Sequence, residues 1–258
     1  MAAFTRLMRI WLALALAVGC AAPALAAERD DPTLVIALYA KPADRAALRG
    51  VLETAQAERL RRWKADGVIA GYRLMFTRYP DAGTWDAMEQ LTFADEAALA
   101  RWRAVERQSP AGLTAPALAL VQSIETTPAT RVRDDAQDTA ADPAVLVIPY
   151  QALVPPGEYL HYLDGYTVPQ FRGWMREGVL QSYDIVVSRY PAGRAWNAMI
   201  MLRYRDDAAL ARRDAVVARV RAQLALEPAW KAISDNKKAI RNERVLAIAD
   251  QIAADDAR

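Results

Sequence analysis

One stretch of the 258-residue chain, residues 158–171, concentrates the side chains that could do chemistry. It contains His161, the chain's only histidine and the side-chain type whose ordinary pKa lies nearest neutrality. His161 could act as a general base, a proton shuttle or an axial haem ligand. Asp164 would orient the imidazole ring if this segment is helical. His161 is therefore a weak candidate catalytic residue, and the alternative is an ordinary surface or packed histidine.

The same stretch is rich in tyrosines, which combine an apolar ring with a polar tip. Gly165 and Pro169 interrupt its helical pattern, and a proline inside a helix costs about 3 kcal/mol, so we expect a break or kink here. A broken helix edged by aromatic side chains could form a pocket wall. The alternative is that the tyrosines are packing residues. The ligand-binding candidates are Tyr159, His161, Tyr162, Tyr166, Tyr183 and Arg189.

Arg189 belongs to a tripeptide, Arg-Tyr-Pro, that occurs twice in the chain. Residues 78–80 recur as residues 189–191, at an offset of 189 − 78 = 111, and the surrounding sequence recurs in step without a gap. The arginine could clamp a carboxylate ligand. Alternatively, arginine and tyrosine could hold the end of a hairpin whose turn the proline opens. Retention in both copies favours the structural interpretation.

The gapless repeat indicates a tandem duplication of one β-α-β-β-α unit. Strands are predicted at residues 33–39, 68–79 and 84–93, and again at 144–150, 179–190 and 195–204, with a short closing strand at 245–249. Asp44, Asp95 and Asp206 are predicted helix caps. Gly67 and Gly178 are placed to end helices in the left-handed conformation.

Each predicted sheet needs cover on both faces. Two helices cover one face, and the second repeat supplies the cover for the other, either as two packed sheets or as one barrel. The chain is therefore expected to form an intrachain pseudo-dimer. Four tryptophans are assigned to the core between sheet and helices, namely Trp63, Trp85, Trp174 and Trp196.

The opposite strand face is predicted to line the space between the repeats. Three flexible methionines would fill this space, namely Met88, Met199 and Met201. Three polar side chains would share it and need partners, namely Asp86, Asn197 and Arg203. This internal interface is the second candidate site.

The order of elements resembles the dimeric α+β barrel superfamily, whose units are ferredoxin-like. The resemblance covers nearly all of residues 33–250, including the stretch from Trp174 to Pro191. It implies an α+β fold of two tandem ferredoxin-like repeats. From the repeat and the composition, the repeats are expected at 27–125 and 144–258, with a linker at 126–143 that is rich in Thr, Asp, Ala and Pro. Members include cofactor-free monooxygenases, isomerases, cyclases, haem enzymes and stress-associated proteins without known activity. No catalytic motif can be transferred, because none matches.

Residues 1–26 read as a secretory signal peptide. Arg6 and Arg9 precede an apolar segment too short to span a bilayer, and cleavage is expected near Ala26. A lipoprotein signal ending at Cys20 is the alternative. The mature protein is therefore expected to be periplasmic or secreted, and no later segment has about 18 consecutive apolar residues that could form a membrane span.

Composition excludes several classes of function. Cys20 is the only cysteine, so its removal would leave neither a thiol nucleophile nor a cysteine metal site, and no metal site is expected. The 33 basic and 31 acidic side chains become 31 and 31 without Arg6 and Arg9, and no basic block indicates nucleic-acid binding. No cofactor is predicted, although His161 leaves haem open.

Three functions fit this sequence. The first is an exported protein that binds a small aromatic or apolar ligand in the second repeat. The second is a cofactor-free monooxygenase, isomerase or cyclase in which His161 and a tyrosine move protons. The third is a structural protein that mediates interactions in the cell envelope.

Overall fold

A computed structural model describes residues 27–137 and 143–256. The first repeat contains β1 (Ala27–Ala40), α1 (Arg45–Val51), α2 (Ala57–Ala65), β2 (Gly71–Thr77), β3 (Ala87–Thr92), α3 (Glu96–Gln108), α4 (Ala115–Leu120) and β4 (Val121–Ala136). The second contains β5 (Ala144–Ala152), α5 (Pro156–Tyr162), α6 (Val168–Arg176), β6 (Leu180–Ser188), β7 (Ala198–Tyr204), α7 (Asp207–Ala211), α8 (Arg213–Leu224), α9 (Pro228–Ile240), β8 (Arg241–Glu243) and β9 (Ala247–Asp255). The predicted signal peptide lies outside the described residues.

Eight of these strands close into an antiparallel barrel. They follow the order β7-β6-β4-β1-β3-β2-β9-β5, and β5 pairs back with β7. The short β8 pairs with the end of β5, beside β9. The last strand of each repeat crosses to the other repeat, because β4 pairs with β6 and β9 pairs with β2. The predicted α+β barrel of two β-α-β-β-α-like halves is therefore confirmed.

The two repeats are related by a pseudo-twofold axis that runs along the barrel. Tyr72 pairs with Leu91 in the first repeat, and Tyr183 pairs with Leu202, both 111 residues later, in the second. The equivalent strands β7-β6-β4-β1 and β3-β2-β9-β5 follow one another in the same sense around the barrel, so only an axis along the barrel can exchange the repeats. Equivalent interior residues therefore face one another across this axis.

Three apolar cores follow from the alternation of side chains along the strands. One lies under the helices of each repeat, and the third fills the barrel interior. Trp63 and Trp174 pack between sheet and helices, as predicted. The prediction was wrong for Trp85 and Trp196, which join the interior core. They precede the first residues of β3 and β7, where the chain does not yet alternate as a strand.

Several local predictions are confirmed at the helix ends. The carboxylates of Asp95 and Asp206 accept hydrogen bonds from the amides of Ala98 and Ala209, at 2.7 and 2.6 Å. Gly67 and Gly178 both adopt φ +69°, which L side chains rarely do, and each follows a helix as predicted. Asp44 precedes α1, but its side chain makes no capping hydrogen bond.

The predicted break at Gly165 and Pro169 takes a different form. A π-helical turn, Leu163–Thr167, joins α5 to α6. The first repeat has the same turn at the equivalent position, Leu52–Gln56, without glycine or proline. The turn therefore belongs to the repeat. Gly165 instead allows close packing of α9, because a Cβ atom there would lie 2.8 Å from Ile233 Cδ1.

The predicted linker and closing strand also differ from the structure. Much of residues 126–143 belongs to β4, which runs to Ala136. The composition of residues 126–143 is typical of a linker. Thr127, Ala129 and Arg131 are nevertheless buried, because they belong to a strand of the barrel. The closing strand expected at 245–249 is β9, which is longer because β2 and β5 both pair with it.

Glu89 is a fully buried carboxyl group in the core of the first repeat. Its equivalent in the second repeat is Ile200, since 200 − 89 = 111. Burial raises the pKa of Glu89 to about 8, and Gln56 and Arg59 offset this only in part. Glu89 is thus largely protonated in the folded protein near neutral pH, whereas the unfolded chain ionises it near pH 4.5.

This difference predicts a stability that declines as pH rises. The contribution is fully present below pH 4.5 and is lost as pH rises to about 8, at about 1.4 kcal/mol per pH unit. Urea unfolding across this window should show the slope in the wild type but not in Glu89→Gln, which should be the more stable protein at pH 8. Glu58→Gln, at an exposed site, is the matched control. Parallel curves for wild type and Glu89→Gln would contradict the prediction.

Candidate functional site

A cavity opens at one end of the barrel, which we call the mouth. The mouth lies where β1 and β5 end and where β3, β7 and β9 begin. The cavity has a volume of about 380 Å³ and is lined by both repeats. Equivalent residues contribute in pairs, namely Thr84 and Ala195, Trp85 and Trp196, and Met88 and Met199. The second candidate site of the sequence analysis, the internal interface, therefore contains a cavity.

The floor and walls of this cavity are mainly apolar. Val35, Ala37 and the paired tryptophans and methionines are all buried. The rim is polar and more exposed, and it includes Tyr39, Glu125 and Arg244. An apolar body with a few polar groups at its edge is the usual composition of a small-molecule site.

The polar rim has a defined charge state. The hydroxyl of Tyr39 donates to Glu125 Oε2 at 3.1 Å. Burial raises the pKa of Tyr39 to about 12, with a further increase from the charge of Glu125. Tyr39 therefore stays neutral at physiological pH. Arg244 is exposed at the same rim and forms no ion pair with any described residue.

Two further equivalent residues hold the mouth together. Asp86 accepts hydrogen bonds from the amide of Ala40 at 2.8 Å and from Arg45 Nε at 2.9 Å. Asn197 bonds both backbone groups of Ala152, accepting at 2.6 Å and donating at 3.0 Å. These contacts tie the segments before β3 and β7 to the ends of β1 and β5. The hydrogen-bond partners expected for Asp86 and Asn197 are therefore present.

The candidate tyrosines lie elsewhere, in the core between the helices and sheet of the second repeat. Tyr159, Tyr162 and Tyr166 stack in series onto Trp230, with successive ring centroids 5.8, 5.2 and 5.0 Å apart. Tyr183 is fully buried in the same core. None of these tyrosines lines the cavity at the mouth. Their arrangement favours the packing interpretation.

Part of this tyrosine core is polar. Arg241 Nε donates to the hydroxyl of Tyr162 at 2.6 Å, and its guanidinium lies 3.9 Å from the centroid of the Tyr150 ring. Burial raises the pKa of Tyr150, Tyr159 and Tyr183 well above the ordinary value, so these side chains remain neutral. This state suits packing better than proton transfer.

His161 and Arg189 are separated from the tyrosine core. His161 is exposed on α5. Arg189 instead contacts the first repeat, where it pairs with Glu96 at 2.5 Å and donates to Thr130 Oγ1 at 2.9 Å. The structure thus brings the tyrosines together but places neither His161 nor Arg189 with them.

The repeated arginines form equivalent contacts across the two repeats. Arg78 pairs with Asp207 at 2.5 Å, as Arg189 does with Glu96. Asp207 and Glu96 are equivalent residues, since 207 − 96 = 111. Each arginine therefore reaches the first turn of a helix in the other repeat. This contact between the repeats favours a structural role for both arginines, and their spacing in the sequence does not reveal it.

Solved structures match this architecture, whereas neither a family model nor a curated protein matches the sequence. A candidate monooxygenase from Lactobacillus acidophilus NCFM is 12% identical over 88% of this chain and 97% of its own, with a TM-score of 0.56. An anthrone oxidase-like protein is 10% identical over 89% and 94%, with a TM-score of 0.54. A chlorite dismutase variant from Candidatus Nitrospira defluvii is 7% identical over 87% and 92%, with a TM-score of 0.51.

The chain has the dimeric α+β barrel fold. At these identities the likeness shows the fold alone, which hosts several unrelated activities. Among the described helices, none combines the length and apolar composition that a bilayer crossing requires.

The side chains at the mouth do not fit a histidine-ligated haem. His161, the only histidine, lies on the outer helical layer and not in the cavity lining. The described residues also contain no group of three or more His, Cys, Asp or Glu side chains placed to hold a metal ion.

The packing interpretation of the tyrosines predicts different effects for two substitutions of Tyr166. Its hydroxyl has no hydrogen-bond partner among the described residues, so Tyr166→Phe should change the free energy of unfolding by less than about 1 kcal/mol. Tyr166→Ala should cost about 3 to 5 kcal/mol, because it removes a stacked ring. Urea unfolding measures both, with His161→Ala as the exposed control. Equal losses for the two Tyr166 variants would disprove the packing interpretation.

Proposed function

We propose that the protein binds a small, largely apolar or aromatic molecule in the cavity at the barrel mouth. The observation that carries this proposal is the pairing of Trp85 with Trp196 and of Met88 with Met199 around one opening. The ligand class is that expected from the sequence, but the site lies between the repeats and not within the second repeat.

The dimensions and walls of the cavity support this ligand class. Its volume of about 380 Å³ falls within the range of about 300 to 1,000 Å³ that is usual for small-molecule sites. Tryptophan rings offer large apolar surfaces, and methionine side chains adapt to irregular shapes. A ligand that buries an apolar body here displaces water from these surfaces, which is the main source of its binding free energy.

The rim gives the bound molecule an orientation. Arg244 lines this rim and forms no ion pair with a described residue, so it favours a ligand whose outer end carries an anionic or hydrogen-bond-accepting group. The hydroxyl of neutral Tyr39 donates a hydrogen bond to Glu125, and its oxygen can accept one from a ligand. One fold neighbour is named for its likeness to an anthrone oxidase, and anthrone is an aromatic ketone of the proposed class.

Binding is tested by calorimetry with 2-naphthoate and anthrone as probes. Ala37→Leu adds bulk to the cavity wall and should weaken both probes at least 10-fold. Arg244→Ala should weaken 2-naphthoate a few-fold and neutral anthrone less, because a charged carboxylate loses more than a ketone oxygen when the guanidinium is removed. Tyr166→Phe, in the second-repeat core, is the matched control and should bind both probes as the wild type does.

The outcomes separate the two candidate sites. Loss of affinity in Tyr166→Phe, with full affinity in Ala37→Leu, would move the ligand to the second repeat. Failure of the wild type to bind either probe would contradict the proposed ligand class.

We also propose that the protein acts after export. The basic and apolar segments of residues 1–26, followed by Ala24-Leu25-Ala26, support this proposal. Mass spectrometry of the protein from its own cell envelope should find a polypeptide that begins at Ala27. A lipid-modified Cys20 would replace the soluble form with an anchored one, and an intact Met1 in the cytoplasmic fraction would overturn export.

A further inference from the structure

The end of the barrel opposite the mouth has a charged interior, which we call the polar end. Three arginines project into it from three strands, Arg73 from β2, Arg131 from β4 and Arg203 from β7. All three side chains are at most 5% exposed. Burying three guanidinium groups together is costly unless each meets an anion or a hydrogen-bond acceptor.

Two carboxylates belong to the barrel wall of this end. Asp184, on β6, pairs with Arg73 and lies 3.8 Å from Arg131. Asp31, on β1, accepts from Arg131 Nη2 at 2.5 Å. These two carboxylates leave Arg203 without a contact of this kind.

A third carboxylate, that of Asp256, comes from the residue that follows β9. Arg73 donates two parallel hydrogen bonds to it, from Nε at 2.8 Å and from Nη2 at 2.9 Å. Arg203 Nη1 lies 3.7 Å from the same carboxylate. This two-pronged contact is the geometry with which arginine recognises a free carboxylate. Burial opposes the charge of Asp256, but the nearby arginines hold its pKa below the ordinary value.

The polar end also holds buried polar atoms that no described residue satisfies. They are Arg203 Nε, Asp184 Oδ1, Ser182 Oγ, Gln90 Oε1 and Gln251 Oε1. Ser182 lies opposite Arg203, and Gln90 lies opposite Arg73, in the strand register. Buried polar groups of native proteins are nearly always paired with protein, water or ligand. Arg203 Nε and Ser182 Oγ can donate to a bound carboxylate, whereas the other three oxygens only accept, so this end offers more hydrogen-bond donors than the described residues use.

Asp256 differs from the wall carboxylates in how it is held. Asp184 is 1% exposed and lies within a barrel strand, β6, whereas Asp256 is 29% exposed and lies beyond the last residue of β9. Residues at the end of a strand open locally at much lower free energy than residues within a barrel. The carboxylate of Asp256 can therefore leave without opening the barrel.

We propose that the polar end is a binding site for a small carboxylate, formed by Arg73 and Arg203, which Asp256 occupies as an internal substitute. A free carboxylate takes the same two hydrogen bonds from Arg73 when Asp256 withdraws. Ser182 Oγ and Arg203 Nε, which no described residue satisfies, then donate to it. This site is distinct from the mouth, and it selects for charge where the mouth selects for apolar surface.

Chemical rescue tests this assignment on the full chain. Asp256→Ala removes the internal carboxylate and should lower the melting temperature by about 5 to 10 °C, since about 1 kcal/mol corresponds to 2 to 4 °C in a protein of this size. Sodium acetate, added at constant ionic strength against sodium chloride, should restore at least half of the loss and should saturate. Asp255→Ala is the matched control, because the neighbouring Asp255 pairs with Lys64 at a more exposed position. It should gain no more from acetate than from chloride.

Two further measurements distinguish a site from a general salt effect. Adding Arg203→Gln to Asp256→Ala should abolish the rescue by acetate. Asp256→Asn keeps the shape of the side chain, and calorimetry on this variant should detect acetate binding in the millimolar range even if Asp256→Ala does not fold. An equal effect of acetate and chloride in both variants would overturn the proposal, and rescue by phosphate but not acetate would overturn the assignment to carboxylates.

Discussion

The last strand of each repeat completes the sheet of the other, and the remaining features of the molecule depend on this exchange. Because β4 pairs with β6 and β9 pairs with β2, the sheet closes and leaves no long unpaired edge. The repeated arginines bind across these two strand pairs. Arg78 donates to Asp250 on β9, and Arg189 donates to Thr130 on β4. Because the barrel is closed, both repeats line its interior, and neither repeat alone contains the cavity.

The interior is chemically divided along the barrel axis. Tryptophan and methionine side chains surround the mouth, buried aliphatic and methionine side chains such as Val147 and Met75 fill the middle, and arginine and aspartate side chains fill the far end. Apolar burial in the middle separates the two ends and stabilises the barrel. The charges at the far end are a weak source of stability in themselves, because desolvation offsets most of their attraction. Removing one partner would nevertheless be costly, because it would leave a guanidinium or a carboxylate buried without its counter-charge.

Much of the fold could be predicted from the sequence, because helix ends and strands depend largely on local residue patterns. The helix caps at Asp95 and Asp206 and the glycines at 67 and 178 each depend on a few neighbouring residues, and the gapless repeat assigns the same order of elements to both halves. The face between the repeats, with Met88 and Met199, was predicted as the second candidate site, but the full lining of its cavity could not be predicted, because it runs from Val35 to Val245 and meets only when the barrel closes. The tyrosines of α5 were instead the predicted ligand-binding residues, because an amphipathic aromatic pattern is the same for a pocket wall and for a packed core. The prediction of a linker at residues 126–143 was wrong for the part that belongs to β4, because a high content of Thr, Asp, Ala and Pro does not reveal that Thr127 and Arg131 are buried in the barrel.

The ion pair between Arg73 and Asp184 joins equivalent positions, since 184 − 73 = 111. In a dimer of identical chains, a residue near the symmetry axis faces its own copy, so this position would confront arginine with arginine or aspartate with aspartate. Joining the repeats in one chain removes that restriction, and the two halves have diverged into complementary partners. The two halves also differ at the mouth, where Thr84 and its equivalent Ala195 both line the cavity. A symmetric barrel would hold an asymmetric guest in two equivalent orientations, whereas this one can distinguish them.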